Sequence, residues 1–157
     1  MSRTRNIALV SIFMFLSCMH SGDAIAQPQI SVQGGSPLLI VATGSASGGI
    51  LPAQNNQARL RYRMGNVIRK VTVSTVCPGQ KFTLTVEALN PSEGNASPPV
   101  ALVDGMAEAD FITDIPRGGN RQQSARLRYV AAPTYSQGNS FELGDDVHVV
   151  TYTIVQQ

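Results

Sequence analysis

The sequence predicts an all-β fold, a single immunoglobulin-like antiparallel β-sandwich of about seven to nine strands. Apolar and polar residues alternate with a period of two in run after run, as strands with one buried face require. Apolar residues at helical spacing hardly occur. Clusters of Gly, Pro, Asn and Ser separate the runs at intervals that suit short strands.

The elements follow in chain order. Ile30 to Gln33 and Leu38 to Thr43 are short candidates bracketing Gly34-Gly35. In Ala58 to Met64, the residues Ala58, Leu60, Tyr62 and Met64 fall on one face and Arg59, Arg61 and Arg63 on the other. Met64-Gly65-Asn66-Val67 reads as a tight hairpin into a β-branched run from Val67 to Val76. Cys77-Pro78-Gly79-Gln80 is a turn with Pro and Gly at its central positions. Beyond it, Phe82, Leu84, Val86 and Ala88 alternate with Lys81, Thr83, Thr85 and Glu87. Val100 to Val103 and Asp110 to Ile115 are shorter strands set off by the loops Asn90 to Pro99 and Pro116 to Asn120. Ala125, Leu127, Tyr129 and Ala131 alternate with Arg126, Arg128 and Val130, and the β-branched run from Val147 to Val155 places Val150, Tyr152 and Ile154 together. Trp and a Cys pair, the hallmarks of true immunoglobulin domains, do not accompany this pattern.

The beginning of the chain follows another logic. Arg3 and Arg5 precede an apolar run from Ile7 to Cys18, and Ala24-Ile25-Ala26 offers small residues at the two positions a signal peptidase reads. This order predicts a signal peptide over residues 1–26, cleaved after Ala26, and an exported protein of periplasmic, cell-surface or extracellular location. The run is shorter than the roughly 20 residues of a permanent transmembrane helix, so no such helix is expected in the mature form. Phe15-Leu16-Ser17-Cys18 partly matches a lipobox, which makes lipidation at Cys18 the rival processing route. The remainder, 27–157, has the length of one domain, in which 27–50 is a flexible or donated N-terminal segment.

Charge and composition then exclude partners and chemistries. After cleavage ten Lys and Arg face nine Asp and Glu, a balance without the dense basic surface that nucleic acid binding demands. Cys77 is left alone, so the mature chain has no internal disulfide, and it reads as a small buried residue at a strand end. His148 is the one histidine that remains. A nucleophile elbow is missing, one His with one Cys falls short of a zinc site, and the acids Asp104, Glu108, Asp110 and Asp114 lack calcium-loop spacing and read as solvated positions. Phosphate loops and dinucleotide fingerprints do not occur. The expectation is therefore a protein that is not an enzyme and needs neither cofactor nor metal.

One internal echo points to binding. Ala58-Arg59-Leu60-Arg61-Tyr62 recurs 67 positions later as Ala125-Arg126-Leu127-Arg128-Tyr129, each after a Gln- and Asn-rich lead. Two unrelated surface strands sharing an in/out pattern would explain it; so would a cationic face of Arg59, Arg61, Arg126 and Arg128 that meets an anionic polysaccharide. Direct adjacency of the two strands would make the arginines repel, so it is not expected without an anion or an acidic cross-strand residue between them.

The C-terminal strand resembles the end of chaperone-usher pilin subunits. Apolar residues alternate through Val150, Tyr152 and Ile154, and Gly144 stands fourteen positions from the end counting Gln157 as one. The likeness covers about fourteen residues and departs from the family at Gln156, where an aromatic is usual, and in the missing disulfide. It implies an incomplete immunoglobulin-like fold completed by strand addition, with Gln29 to Thr43 as the donor to another copy or envelope protein. The functional expectation is a non-enzymatic, fimbrial-like structural or adhesive envelope subunit. The alternative is a secreted or lipid-tethered binding module for anionic glycan or another envelope protein, with contacts on the arginine face or on loops such as Asn90 to Pro99.

Overall fold

The computed structural model describes residues 8–9, 30–39, 42–43, 50–51, 53–133 and 146–157. Cleavage after Ala26, lipidation at Cys18 and the glycine at Gly144 lie outside the described residues. Ten strands build two antiparallel sheets: β1 (Ile30–Gln33), β2 (Ala53–Asn55), β3 (Arg59–Arg63), β4 (Arg69–Val76), β5 (Phe82–Leu89), β6 (Asn95–Ala96), β7 (Val100–Leu102), β8 (Ala109–Ile115), β9 (Gln122–Pro133) and β10 (Val149–Gln156). The six-stranded sheet runs β7-β5-β9-β3-β1, with β2 also paired to β9. The four-stranded sheet runs β6-β8-β4-β10. Two further backbone pairs, Ala8–Leu9 with Leu38–Leu39 and Ala42–Thr43 with Ile50–Leu51, are ladders of their own, and Leu39 is buried in the core. Among the described residues there is no helix, and the all-β sandwich expected from the sequence is what the chain adopts.

The alternation determines which side of each strand is dry. Leu60, Tyr62, Leu84, Val86, Leu127 and Tyr129 of the larger sheet are buried to 2% exposure or less, and so are Val71, Val73, Phe111 and Val150 of the smaller one. These two inner faces meet as the core of a β-sandwich. At about 1.5–3 kcal/mol for each fully buried large aliphatic or aromatic side chain, this set is the main stabilising term of the domain. Three tyrosine hydroxyls are satisfied by two hydrogen bonds within the sandwich. Tyr129 and Tyr152, reaching in from opposite sheets, share a hydrogen bond of 2.7 Å between their hydroxyls, and Tyr62 Oη donates to the Glu93 carbonyl at 2.5 Å.

Two details depart from the sequence reading. Met64-Gly65-Asn66-Val67 is not a hairpin, because β3 and β4 belong to different sheets. Met64 is buried, its N–H donates to Arg121 O at 3.0 Å, and Gly65 O accepts from Gly118 N at 3.0 Å. These bonds hold the segment against the β8–β9 connection, so it carries the chain across the sandwich. Asn95–Ala96, read as loop, is a short strand paired with β8, and Ala53–Asn55 before the first echo is a short strand paired with β9.

The turn after β4 forms as expected. Gln80 N donates to Cys77 O at 3.0 Å, and Gly79 takes φ +73°, a conformation that favours glycine at the third position of a type II turn. Ile30–Gln33, the candidate donor, pairs with β3 of its own chain. The partner that sequence suggested for it in trans is thus matched by one in cis.

Candidate functional site: an arginine face

Strands β3 and β9 turn alternate residues away from the core, and five of those residues are arginines. Leu60 and Tyr62, Leu127 and Tyr129 point inward, so Arg59, Arg61 and Arg63 on β3 and Arg126 and Arg128 on β9 share the outer face of the six-stranded sheet. The two copies of the Ala-Arg-Leu-Arg-Tyr echo are direct neighbours, with an acidic cross-strand residue, Glu87, opposite Arg128 and none opposite Arg59 and Arg126. Their register places Arg59 opposite Arg126, Arg61 opposite Ser124 and Arg63 opposite Gln122.

The physical reason adjacency is tolerated is only partly electrostatic compensation. Arg128 lies opposite Glu87 of β5 and is ion-paired to it. Arg59, Arg61 and Arg126 form no ion pair with any described residue. Arg59 has only a long contact to Ser124 Oγ at 3.5 Å, and Arg63 donates to Asn120 Oδ1 at 2.9 Å. Ser31 and Gln33 of β1 stand beside Arg61 and Arg59 and add hydrogen-bonding groups without charge. Core burial behind these strands outweighs the repulsion in front of them: each like-charge pair costs well under the contribution of one buried leucine.

The face has the features of an anion site built on a rigid sheet. Guanidinium groups recognise carboxylate, sulfate and phosphate in a bidentate manner. Residues two apart along β3 are spaced by about 6.8 Å, so the row offers repeated cationic positions to an extended polymer. The Nε groups of Arg63 and Arg128 are shielded from solvent and have no hydrogen-bond partner. Arg63 was not among the residues singled out from the echo, although its place in the β3 alternation was the available signal.

The loops offered as alternative contact sites are tied down. Ser92 N and Oγ both donate to Ser124 O at 2.9 Å, and Ser97 N donates to Phe111 O at 3.0 Å. Of the acidic residues read as solvated, Asp110 pairs with Lys70 at 2.7 Å, Glu108 accepts from Thr72 at 2.8 Å, and Asp104 accepts the Cys77 N–H at 2.7 Å. Asp114 accepts from Asn95, Thr113 and Gln157, in that order the cause of a carboxyl held below its ordinary range.

At the far end of the other sheet, three further side chains converge: Cys77, Asp146 and His148 are all buried, with one donor atom from each within 4.8 Å of the others. Burial, with Asp146 and Asp104 adding to it, pushes the Cys77 thiol up to about 11. Burial also holds His148 below its ordinary value, against the pull of the same two carboxylates. Both groups are therefore neutral near pH 7, and the thiol is a poor nucleophile. No helix among the described residues is long and apolar enough to cross a membrane. Compared with models of known protein families and with curated proteins, the chain matches none.

Proposed function

We propose that this domain is a non-enzymatic, exported envelope protein that works by holding an anionic partner, with Arg59, Arg61, Arg63, Arg126 and Arg128 as the contact face and anionic polysaccharide as the partner. The observation that carries this reading is the pairing of Arg59 with Arg126 on adjacent strands, without an ion pair to a described residue. Like charges opposite each other cost stability, and an anion bridging them removes that cost at the moment of binding. Retention on an immobilised uronate- or sulfate-bearing polysaccharide tests it. The domain should be retained and eluted by salt, and the combined substitution of Arg59, Arg61, Arg126 and Arg128 by Gln should abolish retention. Equal retention of the variant would refute the proposal.

A second reading, the fimbrial-like subunit, draws support from a different feature. Strand β10 forms the edge of its sheet and has no hydrogen-bonded neighbour beyond it among the described strands. It runs eight residues, Val-Val-Thr-Tyr-Thr-Ile-Val-Gln, without the charge or proline that usually blunts an edge. Such an edge suits strand addition, and the N-terminal segment of a second copy is the occupant this reading requires. Polymerisation of the purified domain that is lost on deleting residues 27–43 would support it. A monomer that melts cooperatively at all concentrations would remove it.

A further inference from the structure

The register of β4 and β10 brings together two residues that lie 71 positions apart in sequence. Val76 pairs with Val149 and Thr75 with Val150, so one step further along the ladder places Cys77 beside His148 on the inward side. Two residues before His148, on the same side of the chain by the period of an extended backbone, comes Asp146. The three are 1%, 2% and 4% exposed for Cys77, His148 and Asp146 respectively.

Their hydrogen bonds leave a specific set of atoms unused. Asp146 Oδ2 accepts the N–H groups of Lys81 and Phe82, both at 2.8 Å, which fixes the carboxylate. His148 Nδ1 lies 3.4 Å from Thr75 Oγ1, which also reaches the Val149 carbonyl at 3.3 Å. In the tautomer in which the threonine hydroxyl donates to Val149, its oxygen accepts Nδ1–H and Nε2 carries the lone pair. Nε2 is buried and has no hydrogen-bond partner. An orphaned ring nitrogen in a dry core is costly unless something fills its place.

We propose that Cys77, Asp146 and His148 form a binding site for a thiophilic divalent transition ion of the zinc type. Thiolate, imidazole and carboxylate are the three donor types zinc takes. Donor atoms around a tetrahedral zinc are about 3.3–3.6 Å apart, from bond lengths of about 2.0–2.3 Å, so a triad within 4.8 Å closes onto the ion with a movement of about 1 Å. The supporting contacts match those of metal sites, where a second hydrogen bond orients each ligand: Thr75 for the imidazole and two backbone amides for the carboxylate. Asp104, bonded to the Cys77 N–H, adds negative charge beside the thiol. A fourth position is left for water or the second carboxylate oxygen. On binding, the Cys77 thiol proton is released to solvent and an S–metal bond forms. The ion would pin the end of β4 and β10 to the start of β5, tying the smaller sheet to the larger at one end of the sandwich.

Cobalt substitution tests the site without reference to any activity. The full chain, reduced and freed of metal with a chelator, is titrated with Co2+ and then with Zn2+. The expected result is a near-ultraviolet thiolate-to-cobalt absorption band that saturates at one equivalent, is displaced by zinc, and disappears in both Cys77→Ala and His148→Gln. Zinc at about a hundredfold over its Kd should also raise Tm by about 8 °C in the wild type and by less than 1 °C in Cys77→Ala. Circular dichroism checks that each variant is folded; should one not fold, the other with Asp146→Asn completes the pair. A missing band, or one that survives either substitution, overturns the proposal.

Discussion

Replacing Arg126 by Glu should make this protein more stable and, at the same time, a poorer binder. Arg126 stands opposite Arg59 across β9 and β3. Two guanidinium groups on such positions can splay to about 8 Å, where Coulomb repulsion in water is about 0.5 kcal/mol. Charge reversal replaces that repulsion by an attraction of similar size, for a gain of about 1 kcal/mol at low ionic strength. For a domain of this length the gain corresponds to a rise in Tm of about 3–5 °C. The Debye length falls to about 3 Å at 1 M salt, so there the difference should vanish. Differential scanning fluorimetry at low and at high salt measures the first effect, and polysaccharide retention the second. A natural arrangement that is less stable than its single-charge variant is what a binding face costs its fold. A variant that is less stable than wild type at low salt, or that is retained as well as wild type, would refute the reasoning.

The remaining predictions concern the core and its titrating groups. Tyr152→Phe leaves the Tyr129 hydroxyl buried without its partner and should cost about 1–3 kcal/mol, whereas the double change of Tyr129 and Tyr152 to Phe should cost less than the sum of the single changes; urea denaturation of the four proteins measures the coupling. In the metal-free protein, Cys77 has its folded value raised to about 11 from 9.0, so the folded state holds a proton that the unfolded state releases, and stability should fall as pH climbs from about 9 to 11; Cys77→Ala should flatten that slope. His148 is displaced downward, so below its ordinary value the unfolded chain takes up a proton the folded one resists, and Tm should drop as pH falls below about 6.5, with the drop reduced in His148→Gln. Gly94→Ala should destabilise by more than 1 kcal/mol, since Gly94 has φ +87° and an added Cβ would lie 2.7 Å from the Thr113 carbonyl oxygen; thermal melting checks it.

Individual strands were legible because their residues alternate, and where the alternation is clean the bounds came close. Ile30–Gln33 forms as read, and the run read as Lys81 to Leu89 forms as Phe82–Leu89. Sheet membership was not legible, because a period of two says which side of a strand is dry but not which strand lies next to it. Gly65-Asn66 has the chemistry of a hairpin, yet long-range bonds to Arg121 and Gly118 decide its path. The arginine echo was visible as residues, and the acidic cross-strand partner that adjacency called for exists at Arg128, opposite Glu87; between Arg59 and Arg126 the far larger burial of Leu60, Tyr62, Leu127 and Tyr129 behind them decides. The triad of Cys77, Asp146 and His148 was overlooked for a simpler reason. Counting His and Cys left out the carboxylate as a third donor, and the pairing of one strand's end with another's beginning is fixed only by the β4–β10 register.

The central claim is that the arginine face, and not the loops, meets the partner. Titrating an isotopically labelled protein with a short anionic oligosaccharide, and following backbone amide and arginine Nε–H signals by NMR, locates the contact directly. The largest shifts are expected at Arg59, Arg61, Arg63, Arg126 and Arg128 and on the outward residues of β3 and β9, weakening as salt is added. Shifts confined to the loops at 90–99 and 116–123, with the arginine signals unmoved, would contradict it.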